Sequence, residues 1–333
     1  MRLLTRLLGL ALTGVFLVLA LSKVDLQAFA QELRTVDYRW LIPSALLTLL
    51  GYGVRTLRWQ VILSGSAKAP FTTLFPILTK GFATNNLLPG RLGEFWRAYL
   101  FGRKQNVGKT FALASVFVER VFDGLTLILL LGVVSTAIQL PGWSRQIEAL
   151  AGLIFVGASA GVVLILWRPN LVERIVQTIS RPLPGNWARW SNERLLAFID
   201  GLTPLRTKRV LLTAALFSLG VWLLEGGSYL LLSRGVNLGL PAFLLLPGLG
   251  LALVVINLGI MVPSGPGYVG TQEFFGASAL GAVGANPQSA LALVVVSHAV
   301  QYALITGLGL LFLAREQLLP RDLRPVLAKE AAG

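Results

Sequence analysis

Three ionisable side chains, Glu119, Arg120 and Asp123, stand within five residues of each other inside the apolar stretch 110–138. A charge near the centre of a bilayer costs at least ~2.5 kcal/mol, so such groups pair with one another or line a polar path. Glu119 and Asp123 are four apart and share a helix face. Arg120 is turned about 100° from that face and is expected to meet a different partner. A buried arginine needs a carboxylate or a phosphate; Glu94 and Glu273 would serve, and without either Arg120 would be placed to hold a lipid phosphate. The alternative is a structural ion pair that locks helices together.

Two segments supply the acids. Residues 71–100 read FTTLFPILTKGFATNNLLPGRLGEFWRAYL, too polar and broken for a plain span yet too apolar for an ordinary loop. Pro89-Gly90 removes a donor and frees the backbone there. The same device recurs in 263–273, PSGPGYVGTQE, so that P-G-x-[L/V]-G appears at 89–93 and again at 266–270. Glu94, Phe95 and Trp96 follow the first copy, and Glu273, Phe274 and Phe275 the second. Non-helical backbone at membrane depth is tolerated only where protein or a wet cavity surrounds it. Paired broken helices in two halves of a chain point to a substrate site, and amides freed at a new helix start favour anions. Two Pro-Gly turns that merely reverse the chain at the membrane surface are the competing reading.

Other polar residues in apolar surroundings are less distinctive. Glu225, flanked by Gly226 and Gly227, is a second buried acid that either gates or carries a proton, or pairs with Arg234 or another helix. Arg55 and Arg58 are read as anchors whose heads reach the interface. His298 is read as a hydrogen-bonded packing residue, with a proton relay as the alternative. Asn85, Asn86 and Asn257 satisfy freed backbone groups or contact a headgroup.

The elements that must position these residues follow from composition. Of 333 residues, 55% are hydrophobic and 13% charged, about half the charged share of a soluble domain. The chain reads as an all-α polytopic membrane protein. About eight spans are expected, at 3–22, 40–63, 110–138, 149–167, 210–232, 242–262, 271–285 and 288–314, with 71–100 as a re-entrant element and 316–333 as a cytoplasmic tail; residues 1–315 form one integral domain. The run 3–22 is read as a retained helix, not a cleaved signal. Loop 64–109 carries Lys68, Lys80, Arg91, Arg97, Arg103, Lys104 and Lys109 against the single acid Glu94, whereas 23–39 is balanced. Lys and Arg mark cytoplasmic loops, which places the N-terminus inside and the protein in the cell membrane. The net charge of +14 is accordingly assigned to loops facing anionic lipid, with no nucleic acid as partner. The segment 168–209 is either an amphipathic helix on the inner leaflet or a solvated linker.

Ordinary enzyme chemistry finds little support. Zero cysteines and one histidine leave no thiolate site and little for a metal centre, and no Gly-rich phosphate loop, HExxH or GxSxG occurs. No metal or cofactor is expected. Taken together, Asn85-Asn86-Leu87-Leu88-Pro89-Gly90-Arg91-Leu92-Gly93-Glu94 with Arg97, then Glu119-Arg120-x-x-Asp123, then Pro263-x-x-Pro266-Gly267-x-x-Gly270-x-x-Glu273 resemble the signature of the flippase-like family defined by the transmembrane region of lysylphosphatidylglycerol synthetases. The resemblance runs over about 5–315 and stops short of the synthetase's aminoacyl-transferase domain, so synthesis is not carried over. It implies transbilayer movement of a phospholipid or another lipid with a charged headgroup. Glu94 and Arg120 match the residues that family associates with flipping, and Glu273 the acid of its last motif. The substrate-contacting set is therefore Glu94, Arg120, Glu119, Asp123, Glu273, Arg91 and Asn86. Two alternatives stand beside it: a non-catalytic membrane partner of a glycosyltransferase or lipid-modifying enzyme, and a membrane-embedded enzyme acting on polyprenyl-linked sugars through Glu119 or Asp123.

Overall fold

Leu-, Ala- and Val-rich runs that cannot expose backbone groups to hydrocarbon have one local solution, the helix. The computed structural model describes residues 2–22, 24–64, 67–88, 91–139, 142–180, 185–261 and 265–318, and among them it contains helices and no strand. Pro89, Gly90, Pro263 and the tail from 319 onward lie outside the described residues.

In chain order the helices are α1 (Arg2–Leu21), α2 (Leu26–Thr35), α3 (Leu41–Leu63), α4 (Phe71–Leu87), α5 (Leu92–Gln105), α6 (Lys109–Ala137), α7 (Gly142–Trp167), α8 (Pro169–Ser180), α9 (Gly185–Leu202), α10 (Lys208–Ser233), α11 (Ala242–Gly259), α12 (Thr271–Ala282) and α13 (Pro287–Leu318). Local chemistry sets several boundaries. The Asp25 carboxylate accepts from the amides of Gln27 (2.8 Å) and Ala28 (3.1 Å) and starts α2 by satisfying two of the donors a helix start leaves free. Asn106, in the left-handed region at φ 53°, ends α5.

By length and composition, four helices among the described residues can cross a bilayer: Tyr38–Leu63, Lys208–Ser233, Ala242–Gly259 and Pro287–Glu316. A fifth arises if Thr13–Leu21 and Leu26–Thr35, bent by 85°, form one broken span. Eight full crossings are thus not reproduced. The expected span 271–285 is realised as α12, whose 12 residues rise about 18 Å, well short of a ~30 Å core; the chain turns at Gly270 (φ 80°) before it and at Gly284 (φ 91°) after it. Residues 71–100, expected as a re-entrant element, form a pair of helices, α4 and α5, packed on each other. Their approach requires glycine: a Cβ on Gly93 would lie 1.9 Å from the Gly81 carbonyl oxygen and 2.6 Å from Asn85 Oδ1. Within 168–209 the helices α8 and α9 form, and α9 is no free linker, because its Leu202 is buried with Ala114 and Val118 of α6 and Phe198 packs against them.

Three pairings frame the interior: α3 along α10, α4 along α13, and α11 against α12. The largest apolar cluster joins α6, α10, α11, α12 and α13 through residues such as Leu131, Trp222, Leu251, Leu280 and Leu293. A second cluster, around Trp59, Leu74, Ile77 and Phe101, ties α3, α4 and α5 together. Between these two apolar bodies lies the polar residue set.

Candidate functional site

Each helix contributes its charges at turn spacing, so that one face of each carries them inward. On α6, Glu119 and Asp123 are 1% and 4% exposed. Opposite them α3 presents Arg58, fully buried, whose Nη1 donates to Asp123 Oδ1 (2.6 Å) and to Ser218 Oγ (2.5 Å) and whose Nη2 lies 3.6 Å from Glu119 Oε1. Arg97 of α5 meets the other Glu119 oxygen, Nη2 to Oε2, at 2.5 Å. Its guanidinium sits 3.6 Å over the Trp59 ring, a position in which the ring's negative face attracts the cation. One turn before Arg58, Arg55 lies 3.8 Å from Asp123 Oδ2 and donates to Glu225 Oε2 at 2.8 Å. Asn257 donates to the second oxygen of Glu225 (3.2 Å).

On the far side of Asp123, Arg120 places Nη2 3.2 Å from Oδ2 and Nε 3.9 Å from Glu94 Oε1. Glu94 accepts in turn from Arg91 Nη2 at 2.9 Å. The ion pairs form one connected chain, Arg97–Glu119–Arg58–Asp123, which branches at Asp123 to Arg55–Glu225 and to Arg120–Glu94–Arg91. Five arginines face four carboxylates, an excess of one positive charge within the network.

The two Pro-Gly elements share backbone chemistry. At the aligned third position, Arg91 and Tyr268 both adopt the left-handed region, at φ 54° and 61°. The amide of the final glycine is captured in both: Gly93 N–H by Asn85 Oδ1 (2.7 Å) and Gly270 N–H by Glu273 Oε2 (2.6 Å). The elements also touch. Gly267, at φ 67°, sits so close to α13 and α4 that a Cβ there would meet the Tyr302 ring at 2.6 Å and the Asn86 carbonyl oxygen at 3.3 Å. Asn86 donates to Thr306 Oγ1 of α13 (2.9 Å).

Where the elements meet, a cavity of about 90 Å³ opens, room for several waters or a small polar group. Three arginines, Arg55, Arg91 and Arg120, line it against one carboxylate, Glu225. Asn85, Asn86, Asn257, Gln272 and Gln301 add amides, and Tyr52, Tyr268 and Tyr302 add hydroxyls. Among the described residues, the buried wall groups that lack a hydrogen-bond partner are Arg120 Nε, Trp222 Nε1 and Gln272 Nε2. All three are N–H donors, and none is an acceptor.

The structure thus brings Glu94, Glu119, Arg120, Asp123 and Arg91 into one network and sets Asn86 on the cavity wall. Glu273 stands apart from that network and pairs with His298 instead. Two sequence expectations are corrected. Arg55 and Arg58 are not interfacial anchors but 7% and 0% exposed members of the network; Arg55 lies eight residues inside the end of α3, about 12 Å, and that depth was the signal that could have marked it. Arg120 does not turn wholly away from the α6 acid face, since its flexible stem carries the guanidinium back to Asp123. Of the two partners expected for Glu225, another helix supplies the one found, Arg55 of α3, while Arg234 lies 5.3 Å over the Trp40 ring. Trp222 and Gln272 were not anticipated at all; neither carries a charge that would stand out in an apolar helix.

Comparison with known proteins places this geometry in context. The chain is 26% identical to the glycosyltransferase AglD of Haloferax volcanii over 90% of its own length, and it spans 53% of that protein. It is 23% identical to a UPF0104 membrane protein of Methanothermobacter thermautotrophicus, with 90% of each chain covered. A UPF0104 membrane protein of Methanocaldococcus jannaschii is 26% identical over 34% of the chain. No solved structure matches. Residues 6–309 match the family described as the lysylphosphatidylglycerol synthase TM region, a match that takes in every helix from which the network is built. This multi-pass helical membrane protein belongs to the lysylphosphatidylglycerol synthase transmembrane-region family.

Proposed function

We propose that the protein moves a phospholipid, or another lipid with a phosphate-bearing headgroup, between the leaflets of the cell membrane, with its N-terminus in the cytoplasm. One observation carries this reading: Arg55, Arg91 and Arg120 line the cavity against the single carboxylate of Glu225, beside an ion network with one arginine in excess. A phosphate supplies the negative charge that such a wall lacks, and guanidinium groups match its geometry. Glu94, Glu119 and Asp123 then hold the arginines in place and keep the site from trapping the anion permanently. Arg91 and Asn86, from the first Pro-Gly element, and Tyr268, from the second, close the cavity from two sides, so a relative shift of these elements opens it to one leaflet or the other.

The test is a fluorescent phospholipid in liposomes that hold the pure protein, with outer-leaflet signal removed by an impermeant reductant. Wild type is expected to expose inner-leaflet lipid faster than empty vesicles, and Arg120→Ala to fall back to the empty-vesicle rate. Equal rates for wild type, Arg120→Ala and empty vesicles remove the proposal.

A second reading, as the membrane partner of a glycosyltransferase, draws on the similarity to a protein named as one, of which this chain covers only about half. It predicts co-purification with such an enzyme and no lipid movement by the pure protein.

A further inference from the structure

His298, on α13, is held between two acceptors. Its Nδ1 lies 2.6 Å from Glu273 Oε1 and its Nε2 2.8 Å from the Gly267 carbonyl oxygen. A neutral imidazole carries one N–H and one lone pair. With Glu273 ionised and His298 neutral, one of these two contacts would set lone pair against lone pair at hydrogen-bond distance. Both are satisfied only when the pair holds one further proton, either as an imidazolium donating to both oxygens or as a protonated Glu273 donating to Nδ1. The second oxygen of Glu273 is already taken by the Gly270 amide. The pair therefore fastens both ends of the turn Gly267–Gly270 to α13. The turn's own Tyr268 and the imidazole line the same cavity as Arg91 and Arg120.

We propose that Glu273 and His298 form a proton-binding site: one shared proton holds the second Pro-Gly element closed on α13, and its release to water through the cavity frees that element. On release the N–H or O–H bond breaks and its electron pair stays on the nitrogen or oxygen. The pair is left with a lone pair facing an acceptor, and one contact must open. The closed turn is thus favoured as pH falls and loosened as pH rises.

The charged and titratable surroundings are defined. Tyr302 packs edge-on to the imidazole at 6.2 Å between ring centres. Around the cavity stand Tyr52 and Arg55 of α3, Glu225 of α10, Arg91 and Tyr268 of the broken elements, and Arg120 of α6. Lys80 of α4 and Glu32 of α2 engage the two ends of α13, at Glu316 and Ser289, and not His298. The proton site stands whether or not the cavity takes a lipid; an effect of pH on lipid movement rests on the reading above.

Because His298 is the only histidine, nitrogen-15 histidine labelling of the full chain in nanodiscs gives one ring to follow between about pH 5 and pH 8. In the wild type, Nε2 is expected to keep its hydrogen at the acidic end, with one further proton shared at Nδ1 and lost as pH rises. Glu273→Gln replaces the protonated carboxyl with an amide that donates to Nδ1 and still accepts from Gly270, so its ring is expected to stay neutral with no titration. Hydrogen exchange of residues 265–270, compared at each pH with Glu273→Gln so that base catalysis cancels, is expected to accelerate several-fold in the wild type alone. A wild-type ring that is neutral beside an ionised Glu273 throughout the window overturns the proposal, as does an exchange ratio that does not change with pH. The wild-type spectrum decides the first point even if Glu273→Gln fails to fold. A titrating pair in a protein that moves no lipid removes the lipid reading and leaves the proton site standing; lipid movement with an untitrating pair does the reverse.

Discussion

Asp123 is the branch point of the ion network, and replacing it by asparagine changes charge with little change of shape. Its carboxylate lies 2.6, 3.2 and 3.8 Å from the guanidinium nitrogens of Arg58, Arg120 and Arg55. At an effective dielectric of about 20 the gross attractions at these distances are roughly 6, 5 and 4 kcal/mol. Desolvation of a carboxylate only 4% exposed offsets most of that sum, and breaking a buried pair from one side costs about 3–5 kcal/mol because the other charge is left without its partner. Asp123→Asn raises the positive excess of the network from one to two and is expected to cost that amount. Arg58→Gln removes the cation from the same contact. The double variant is expected to be less destabilised than the sum of the singles by about 0.5–3 kcal/mol, the range found for residues in one network. Reversible unfolding in mixed micelles, monitored by tryptophan fluorescence, measures all four corners of the cycle. Single costs below about 1 kcal/mol, the level of exposed ion pairs, or strict additivity, would refute the view that these charges act as one buried unit.

Further outcomes follow from the same structure. Gly93→Ala sets a methyl group 1.9 Å from the Gly81 carbonyl and is expected to abolish the monodisperse folded peak in size-exclusion chromatography, whereas Gly132→Ala, with nothing within 4 Å, leaves it intact. Gln27→Cys on α2 and Asn170→Cys on α8 are expected to react with an impermeant thiol reagent from opposite faces of the membrane; labelling from one face only would overturn the orientation read from Lys and Arg. Hydrogen bonding from the Arg39 side chain and backbone holds the Asp37 carboxyl below the usual carboxylate range. Its contribution to the Tyr38–Trp40 turn is therefore complete above the ordinary carboxylate value and lost as pH falls through the lowered one. Exchange of the Arg39 amide should show that acid loss in the wild type and not in Asp37→Asn.

Charge depth in the linear chain marked Glu119, Arg120 and Asp123, because a polar residue in an apolar run stands out whatever it touches. The doubled P-G-x-[L/V]-G pattern marked both broken elements for a similar reason: proline and glycine report backbone constraints that are local. Arg55 and Arg58 were misjudged on the same local rule. Arg58 lies within reach of an interface by snorkelling and Arg55 a turn deeper, and the packing of α3 against α10 and α6 shows that their heads are enclosed by Glu225, Ser218 and Asp123. Of the expected spans that are not among the four, 271–285 is realised as α12, where mean apolarity suits a membrane but 12 residues lack the length.

Sequence alone determined that the chain is helical, lives in a membrane, and carries costly charges beside interrupted backbone, since these follow from composition, period and single residues. Tertiary structure decided which charge meets which. Partners such as Arg55 and Glu225 lie 170 residues apart, and no local pattern encodes that separation. It also decided that Glu273 belongs with His298 instead of the arginine network, and that Arg55, Arg91 and Arg120 line one shared cavity. Those facts depend on how helices stack, which is fixed by the summed fit of many side chains and not by any motif.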